Sequence, residues 1–234
     1  MSDHLRDPLA GCRAYLHAHH HLGVRKDKKQ LPFVTISREA GAGGVTIAEW
    51  TAQILNQALT EQSGPPWTVF DKNIVRKVME DHQLPASLEQ FLPEDVAPGV
   101  TSAVEEMLGL HPSAWTLAEK TTATILRLAR LGNVILVGRG SACITANLHP
   151  AVHVRLVAPF EVRTAHLAEY HHLTLLEAER YAAKADQGRG RYVKRFLGSA
   201  IDDPLNYTLT INTGRLNWEA TAHLIAEAVK RTAG

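Results

Sequence analysis

The sequence contains little cysteine and no long apolar run. Only two cysteines, Cys12 and Cys143, occur in its 234 residues, which is too few for a disulfide framework. No hydrophobic stretch approaches the roughly 20 residues that a membrane-spanning helix needs. The N-terminus also lacks the basic start and apolar stretch of a secretory signal. These absences argue against a secreted disulfide scaffold and a membrane protein, and we expect a soluble cytoplasmic protein.

The sequence also lacks an excess of charge of either sign. Lysine and arginine together number 25 and aspartate and glutamate 24, so the formal net charge is +1. A nearly neutral chain does not favour a nucleic-acid or polybasic membrane partner. Hydrophobic residues make up 45% and charged residues 21%, which is typical of an ordinary globular protein.

Residues 1–30 differ in composition from the rest of the chain. They contain five of the thirteen histidines and then a charged run at 25–29. The spacing of the few apolar residues suits one amphipathic helix. No carboxylate or cysteine stands at ligand spacing from the histidines, so we predict no metal site. We interpret the segment as an N-terminal extension that packs on the core or mediates self-association.

From residue 31 onward, apolar β-branched runs alternate with helical patterns. Such alternation predicts an α/β domain over residues 31–234, with a parallel sheet covered on both faces and right-handed crossovers. Asn217 is placed to cap the final helix. Residues 73–125 begin with an irregular, proline-containing stretch and are predicted to form a helical insertion outside the sheet. The predicted strands are Phe33–Ile36, Trp67–Phe70, Val134–Val137, Val152–Val157 and Tyr207–Ile211.

A glycine-rich turn follows the first predicted strand, with glycines at 41, 43 and 44. In a parallel sheet, ligands bind at the carboxyl ends of the strands. A phosphate there could bind free backbone N–H groups at the positive end of the next helix. Glycine lets the backbone approach such an anion closely. We therefore interpret the turn as an anion-binding loop, the alternative being a strand-to-helix connection without a ligand.

Neither common nucleotide-binding motif fits this turn strictly. A Walker A pattern aligned on Gly43 places Gly44 at the lysine and Val45 at the Ser/Thr position. The dinucleotide fingerprint matches Gly41 and Gly43 but meets Thr46 at its third glycine. Asp71 could serve as the ribose-binding acid of that fingerprint, although it lies about thirty residues beyond the turn rather than about twenty.

Four further segments narrow these alternatives. Together with Ser37-Arg38-Glu39 and the glycines, they resemble the cytidylate kinase-like family, a branch of the P-loop nucleoside monophosphate kinases. The resemblance covers about residues 31–230, in the family's order. The four segments are Gly132–Gly140, His149–Ala158, Asp186–Tyr192 and Asp202–Thr213.

The resemblance implies a fold and an activity. The implied fold is a three-layer P-loop kinase domain with a five-stranded parallel sheet, a helical monophosphate-binding insertion and a lid at about 184–200. The implied reaction moves the γ-phosphoryl group of ATP, with Mg²⁺, to a CMP-like nucleoside monophosphate or a related small acceptor. The implied partners are therefore nucleotides and small molecules.

The resemblance also assigns the glycine turn to the donor nucleotide. Gly44 stands at the P-loop lysine position, as in the branch of the family that carries Ser-Arg-Glu, so the loop has no cation of its own. Arg38 is the nearest residue that could replace this charge. The backbone amides that would hold the donor β-phosphate belong to Gly41, Ala42, Gly43, Gly44, Val45 and Thr46.

Five other positions match functional positions of the family. Asp71 stands where the monophosphate-binding segment begins, and Arg139 matches the arginine that holds the acceptor nucleotide. Arg189 and Arg191 fall in the lid, where arginines close over the transferring group, and Asp186 begins that segment. Arginine suits this role because it stays charged and offers a planar fork matched to phosphate.

Two alternatives remain open from the sequence. The first is a nucleotide-binding regulatory protein without catalysis, because Gly44 replaces the lysine and Gly140 stands where cytidylate kinases proper carry an aspartate. The second is a dinucleotide-binding oxidoreductase, which the lid arginines and the missing third glycine disfavour.

Overall fold

The computed structural model of the chain describes residues 30–59, 64–71 and 114–233. Residues 1–29 of the predicted extension and residues 73–113 of the predicted insertion lie outside the described residues. Among those that are described, no helix is long and apolar enough to cross a membrane.

The described chain forms one five-stranded sheet in which every strand pair is parallel. The strand order is β2-β3-β1-β4-β5, so β1 is central, and the carboxyl ends of all strands meet at one edge. The predicted α/β class with a five-stranded parallel sheet is confirmed. The strands are β1 Phe33–Arg38, β2 Thr68–Phe70, β3 Val134–Val137, β4 Ala151–Val157 and β5 Leu209–Asn212.

Helices connect these strands. The segment predicted as a lid contains the second half of α5, a helix of 23 residues that begins with a capping box at Thr174. The described part of the predicted insertion, residues 114–125, is the start of α2. The helices are α1 Gly44–Gln57, α2 Ala114–Leu131, α3 Ser141–Ile144, α4 Phe160–His171, α5 Leu175–Leu197 and α6 Trp218–Ala233.

The two faces of the sheet bury different sets of apolar residues. Val34 and Ile36 of β1 pack with residues of α1 and α6, among them Ile47 and Ile225. On the other face, Phe33 packs with Phe70 and with Ile125 and Leu128 of α2. Successive side chains of a strand point to opposite faces, and the result is the three-layer arrangement that the sequence predicted.

The last strand begins two residues later than the sequence predicted. A short 3₁₀ turn at Pro204–Asn206 precedes it, and the Tyr207 hydroxyl donates to the Ile201 carbonyl at 2.7 Å. Tyrosine favours β-strands, as do the residues that follow Tyr207. The Tyr207 side chain nevertheless turns back onto the preceding loop. That loop is thereby held against the carboxyl edge of the sheet.

A half-buried histidine, His153, makes stability depend on pH. His153 Nδ1 and the Thr35 hydroxyl are hydrogen-bonded at 2.8 Å, and His153 Nε2 has no hydrogen-bond partner among the described residues. Burial, with a smaller contribution from His149, lowers the pKa of His153 to about 4. The native state therefore favours the neutral ring, whereas the unfolded chain takes up a proton below about pH 6.5.

We predict that this contribution to stability is intact above about pH 6.5 and falls as the pH drops towards about 4, by roughly 3 kcal/mol in all. Replacing His153 with Gln should remove this part of the pH dependence. Urea unfolding at about pH 7.5 and about pH 4.5 measures it. His223→Gln, at an exposed position of α6, is the control and should keep the parent slope. The prediction would be contradicted if the free energy of unfolding of His153→Gln depended on pH as strongly as that of the wild type.

Candidate functional site

The glycine turn ends β1 and begins α1 at the carboxyl edge of the sheet. Gly41 and Gly43 have φ angles of 80° and 82°, in the left-handed region that favours glycine. Gly43 caps α1 without a side-chain hydrogen bond, and the first turn of the helix carries no acidic residue. The first amides of α1 therefore have no acidic side chain of their own turn beside them, as an anion site at a helix N-terminus requires.

Close packing also requires glycine at these two positions. A Cβ at Gly41 would overlap the backbone carbonyl of Arg163, and a Cβ at Gly43 would lie 2.5 Å from the Trp218 ring. The backbone of the turn is therefore pressed against α4 and the start of α6, which fixes its path.

Arg163 of α4 is a buried arginine that holds the turn from behind. Its Nε donates to the Ala158 carbonyl at 3.0 Å and lies 3.2 Å from Oε2 of Glu39. Its Nη1 donates to the Ala40 carbonyl at 2.9 Å and to Oδ2 of Asp186 at 2.7 Å. A guanidinium offers five donors in a rigid plane, and here they join the turn to β4 and α5.

Three other side chains hold the backbone of the turn. Asp186 Oδ1 accepts from the Ala40 amide at 2.7 Å, and His166 Nδ1 donates to the Gly41 carbonyl at 3.2 Å. The Thr213 hydroxyl donates to the Ala42 carbonyl at 3.2 Å. The turn is thus held in one conformation by groups from α4, α5 and the end of β5.

Arg38 occupies the space beside Gly44. A Cβ at Gly44 would lie 2.7 Å from Arg38 Cγ and 3.2 Å from its Cβ and Cδ. The Arg38 guanidinium continues across the edge of the sheet, next to Gly138, and its Nη2 lies 3.6 Å from Oδ1 of Asp71. The Arg38 side chain therefore occupies the space that a side chain at position 44 would need.

A cavity opens at the carboxyl edge, between the ends of β1 and β3. Its volume is about 460 Å³ including its open mouth, and its described lining contains three arginines, two tyrosines and no aspartate or glutamate. Such a lining favours an anionic ligand. The serine, arginine and tyrosine residues of the lining are Ser37, Arg38, Arg139, Ser141, Arg189, Tyr192 and Tyr207.

Arg139 enters this cavity from a strained turn. Gly138, Arg139 and Gly140 have φ angles of 84°, 57° and 67°, and a non-glycine residue in this region is uncommon. Burial raises the pKa of the neighbouring Tyr192, and the positive charge of Arg139 partly opposes that rise. Backbone strain of this kind persists only where the surrounding structure holds it.

The structure brings together some of the predicted site residues. Arg38, Arg139 and Arg189 line the same cavity, and Asp71 contacts Arg38. Arg191 is exposed and does not line the cavity. The turn from Gly41 to Thr46 adjoins the cavity through the contact between Gly44 and Arg38. The functional roles of these residues remain predictions.

Asp186 stands in a different setting from the one its predicted role suggested. Both of its carboxylate oxygens contact protein donors, on Ala40, Arg163 and Arg189. This geometry favours a positioning role over direct contact with a substrate, and its assignment to substrate binding stays a prediction.

Sequence reasoning missed two buried arginines. Arg163 was not singled out, although it stands in the first turn of the helix after Ala158-Pro159. Arg155 is a single charge within the apolar run of β4, and that anomaly was a usable signal. Its Nη1 donates to the Ser37 hydroxyl at 3.0 Å and its Nη2 to Oδ1 of Asp202 at 2.7 Å.

We predict that Arg163→Met lowers the free energy of unfolding by about 3–5 kcal/mol, because Glu39 and Asp186 would lose the buried cation between them. Urea unfolding at neutral pH measures the change. Arg180→Met removes an exposed arginine from α5 and should change stability by less than about 0.5 kcal/mol. If the two substitutions changed the free energy of unfolding equally little, Arg163 would not be a residue that stabilises the turn.

Part of this chain is similar in sequence to a known protein. The chain is 28% identical over 100 residues to the cytidylate kinase of Staphylothermus marinus, a match that covers 43% of this chain and 56% of that protein. The matched segment thus spans just over half the length of that relative.

One solved structure shares the fold of this chain with a TM-score above 0.5. An uncharacterized protein from Eubacterium ventriosum ATCC 27560 superimposes with a TM-score of 0.62 at 17% identity, covering 86% of this chain and 99% of that chain. Shikimate kinase from Bacteroides thetaiotaomicron superimposes with a TM-score of 0.48 at 14% identity, covering 86% and 99%.

A family model also matches most of the chain. The model of the cytidylate kinase-like family matches residues 33–215, a span that includes the whole sheet, the glycine turn, the arginine cavity and α5. The chain belongs to the cytidylate kinase-like family.

Proposed function

We propose that this protein transfers the γ-phosphoryl group of ATP to a CMP-like nucleoside monophosphate or a related small anionic acceptor. The observation that carries the proposal is the cavity lined by Arg38, Arg139 and Arg189 directly beside the glycine turn that begins α1. Family membership supports the same reaction class. It also counts against the dinucleotide-binding alternative.

The cavity has the charge that phosphoryl transfer requires. The reaction needs aligned reactants and positive charge on the equatorial oxygens of the transferring group. Asp71 contacts Arg38 and Asp186 contacts Arg189, so these two guanidinium groups are oriented before any substrate binds. Pre-orientation reduces the ordering cost of binding.

The donor phosphates would bind the turn from Gly41 to Thr46. Backbone amides at the start of α1 and the positive end of its helix dipole would contact the β-phosphate. Because Arg163, Asp186, His166 and Thr213 already hold the turn, binding need not order it.

Arg38 would supply the positive charge that Gly44 cannot. Its stem fills the space in which a lysine at 44 would begin, and its guanidinium lies between the turn and the ends of β2 and β3. On this proposal the guanidinium would lie between donor and acceptor, so its charge would act on the transferring group.

Mg²⁺ fits the oxygen donors available at this edge. The ion usually keeps several waters and takes one or two protein oxygens alongside substrate phosphates. Thr46 in the first turn of α1 and Asp71 at the end of β2 provide a hydroxyl and a carboxylate. When bound, Mg²⁺ would neutralise charge on the donor phosphates. Among the described residues no group of three or more His, Cys, Asp or Glu side chains could hold a metal.

The acceptor would bind on the β3 side of the cavity. Arg139 would hold the anionic group of the acceptor. Asp71, at the end of β2, would contact another part of the acceptor. Arg191 is exposed, so its proposed contact with the transferring group requires closure of α5 over bound nucleotides, as lids do in related reactions.

A second candidate is a nucleotide-binding regulatory protein without catalysis. The replacement of the P-loop lysine by Gly44 and the 3.6 Å contact between Arg38 and Asp71 favour it. Under this alternative, ATP raises the melting temperature while no ADP forms with any acceptor.

We predict that ATP, Mg²⁺ and a panel of monophosphates that includes CMP give ADP above background with the wild-type protein. Arg38→Met should lower this rate by a factor on the order of 10³, by analogy with arginines that stabilise the transferring group. The double variant Arg38→Ala, Gly44→Lys should recover part of the rate, because alanine removes the Cγ and Cδ atoms that a Cβ at 44 would meet. ADP release measures all three.

Arg180→Met, which changes an exposed arginine of α5, is the control and should retain the wild-type rate. Absence of ADP with every acceptor would reject the kinase function. A wild-type rate in Arg38→Met would reject only the role of Arg38.

A further inference from the structure

One carboxylate contacts both halves of the candidate site. Asp186 Oδ1 accepts from the Ala40 amide at 2.7 Å and from Arg189 Nη1 at 3.0 Å. Its Oδ2 accepts from Arg163 Nη1 at 2.7 Å. Ala40 directly precedes the first glycine of the turn, and Arg189 lines the cavity.

The turn has little freedom to move independently of this carboxylate. Ala40 is buried, its amide is bound by Asp186, and its carbonyl is bound by Arg163. Since Arg163 is itself bound to Asp186, the Ala40 amide is connected to Asp186 directly and the Ala40 carbonyl is connected to it through Arg163. A displacement of Asp186 therefore reaches Gly41 through a single peptide.

Arg189 depends on the same carboxylate from the other side. It stands one helical turn after Asp186 on α5, and its side chain is 13% exposed. A guanidinium has five N–H donors, so Nη1 can stay on Asp186 while other donors bind an anion in the cavity. The direction in which Arg189 presents those donors is then set by where Asp186 lies.

Small apolar residues keep α5 close to the turn without fixing Arg189. Ala40 packs with Leu167 of α4 and with Ala178 and Ala182 of α5. This contact brings the helix against the turn, but the apolar contacts of these alanines do not orient a guanidinium that lies about two or more helical turns further along. The hydrogen bond from Arg189 Nη1 to Asp186 Oδ1 does help to orient it.

We propose that Asp186 is a positioning residue that couples phosphate binding in the glycine turn to anion binding in the arginine cavity. The inference rests on the proposed function, which supplies the two ligands. A donor phosphate shifts the turn and Asp186 together, because Ala40 joins them, and Asp186 then carries Arg189 into the orientation that binds the acceptor. Coupling of binding free energies is reciprocal, so the acceptor tightens donor binding by the same factor.

Isothermal titration calorimetry of the full chain tests this coupling. The Kd of CMP is measured with and without a saturating non-hydrolysable ATP analogue and Mg²⁺. In the wild-type protein the analogue should tighten CMP binding about five-fold or more, the lower end of typical coupling. In Asp186→Asn that factor should fall to within about two-fold of unity, while each ligand still binds alone.

Two further variants make the result specific. Glu179→Gln removes a carboxylate from the same helix and should keep the wild-type coupling factor. Asp186→Glu keeps the charge but moves the carboxylate by one methylene, so it should fold like the wild type and lose most of the coupling. It decides the question if Asp186→Asn fails to fold. A purely structural role would weaken both ligands together and leave the ratio unchanged, which would overturn the inference.

Failure of the proposed function has a different signature. If the wild-type protein binds neither the ATP analogue nor CMP, the proposed function fails and the inference fails with it. If both ligands bind and Asp186→Glu retains the full coupling factor, the inference alone is rejected.

Discussion

The buried guanidinium of Arg163 is the contact around which the site is organised. It joins the turn, through Ala40 and Glu39, to the end of β4 and to Asp186 on α5. A buried cation is costly unless oppositely charged and hydrogen-bonding groups surround it, and here two carboxylates and two carbonyls do so. The same requirement that stabilises the charge therefore fixes the shape of the turn.

This arrangement separates the residues that shape the site from those that face a ligand. Arg163, Asp186 and Thr213 contact the backbone of the turn from behind. Arg38, Arg139 and Arg189 line the cavity in front. Asp186 belongs to both groups through its contact with Arg189. A protein that must align two charged reactants gains from such a division, because the aligned groups are held before the reactants arrive.

The sequence predicted the sheet well because each strand carries its own local signal. Val134–Val137 is an apolar β-branched run bounded by glycine, and the structure has β3 at those residues. The pairing of Arg163 with Glu39 and Asp186 was not predictable in this way, because its members lie 23 residues or more apart along the chain. Arg38 shows the same limit, because the parallel topology brings Asp71, 33 residues further along the chain, next to it.

The close approach of Gly44 to the Arg38 stem has a consequence for how such chains can diversify. With 2.7 Å between a Cβ at 44 and Cγ of residue 38, a long side chain fits at one of the two positions but not at both. A change from arginine at position 38 of β1 to lysine at position 44 of α1 therefore needs two simultaneous substitutions. Either substitution alone leaves a clash or a gap. Relatives should fall into two separate groups at these positions, without intermediates that carry both residues.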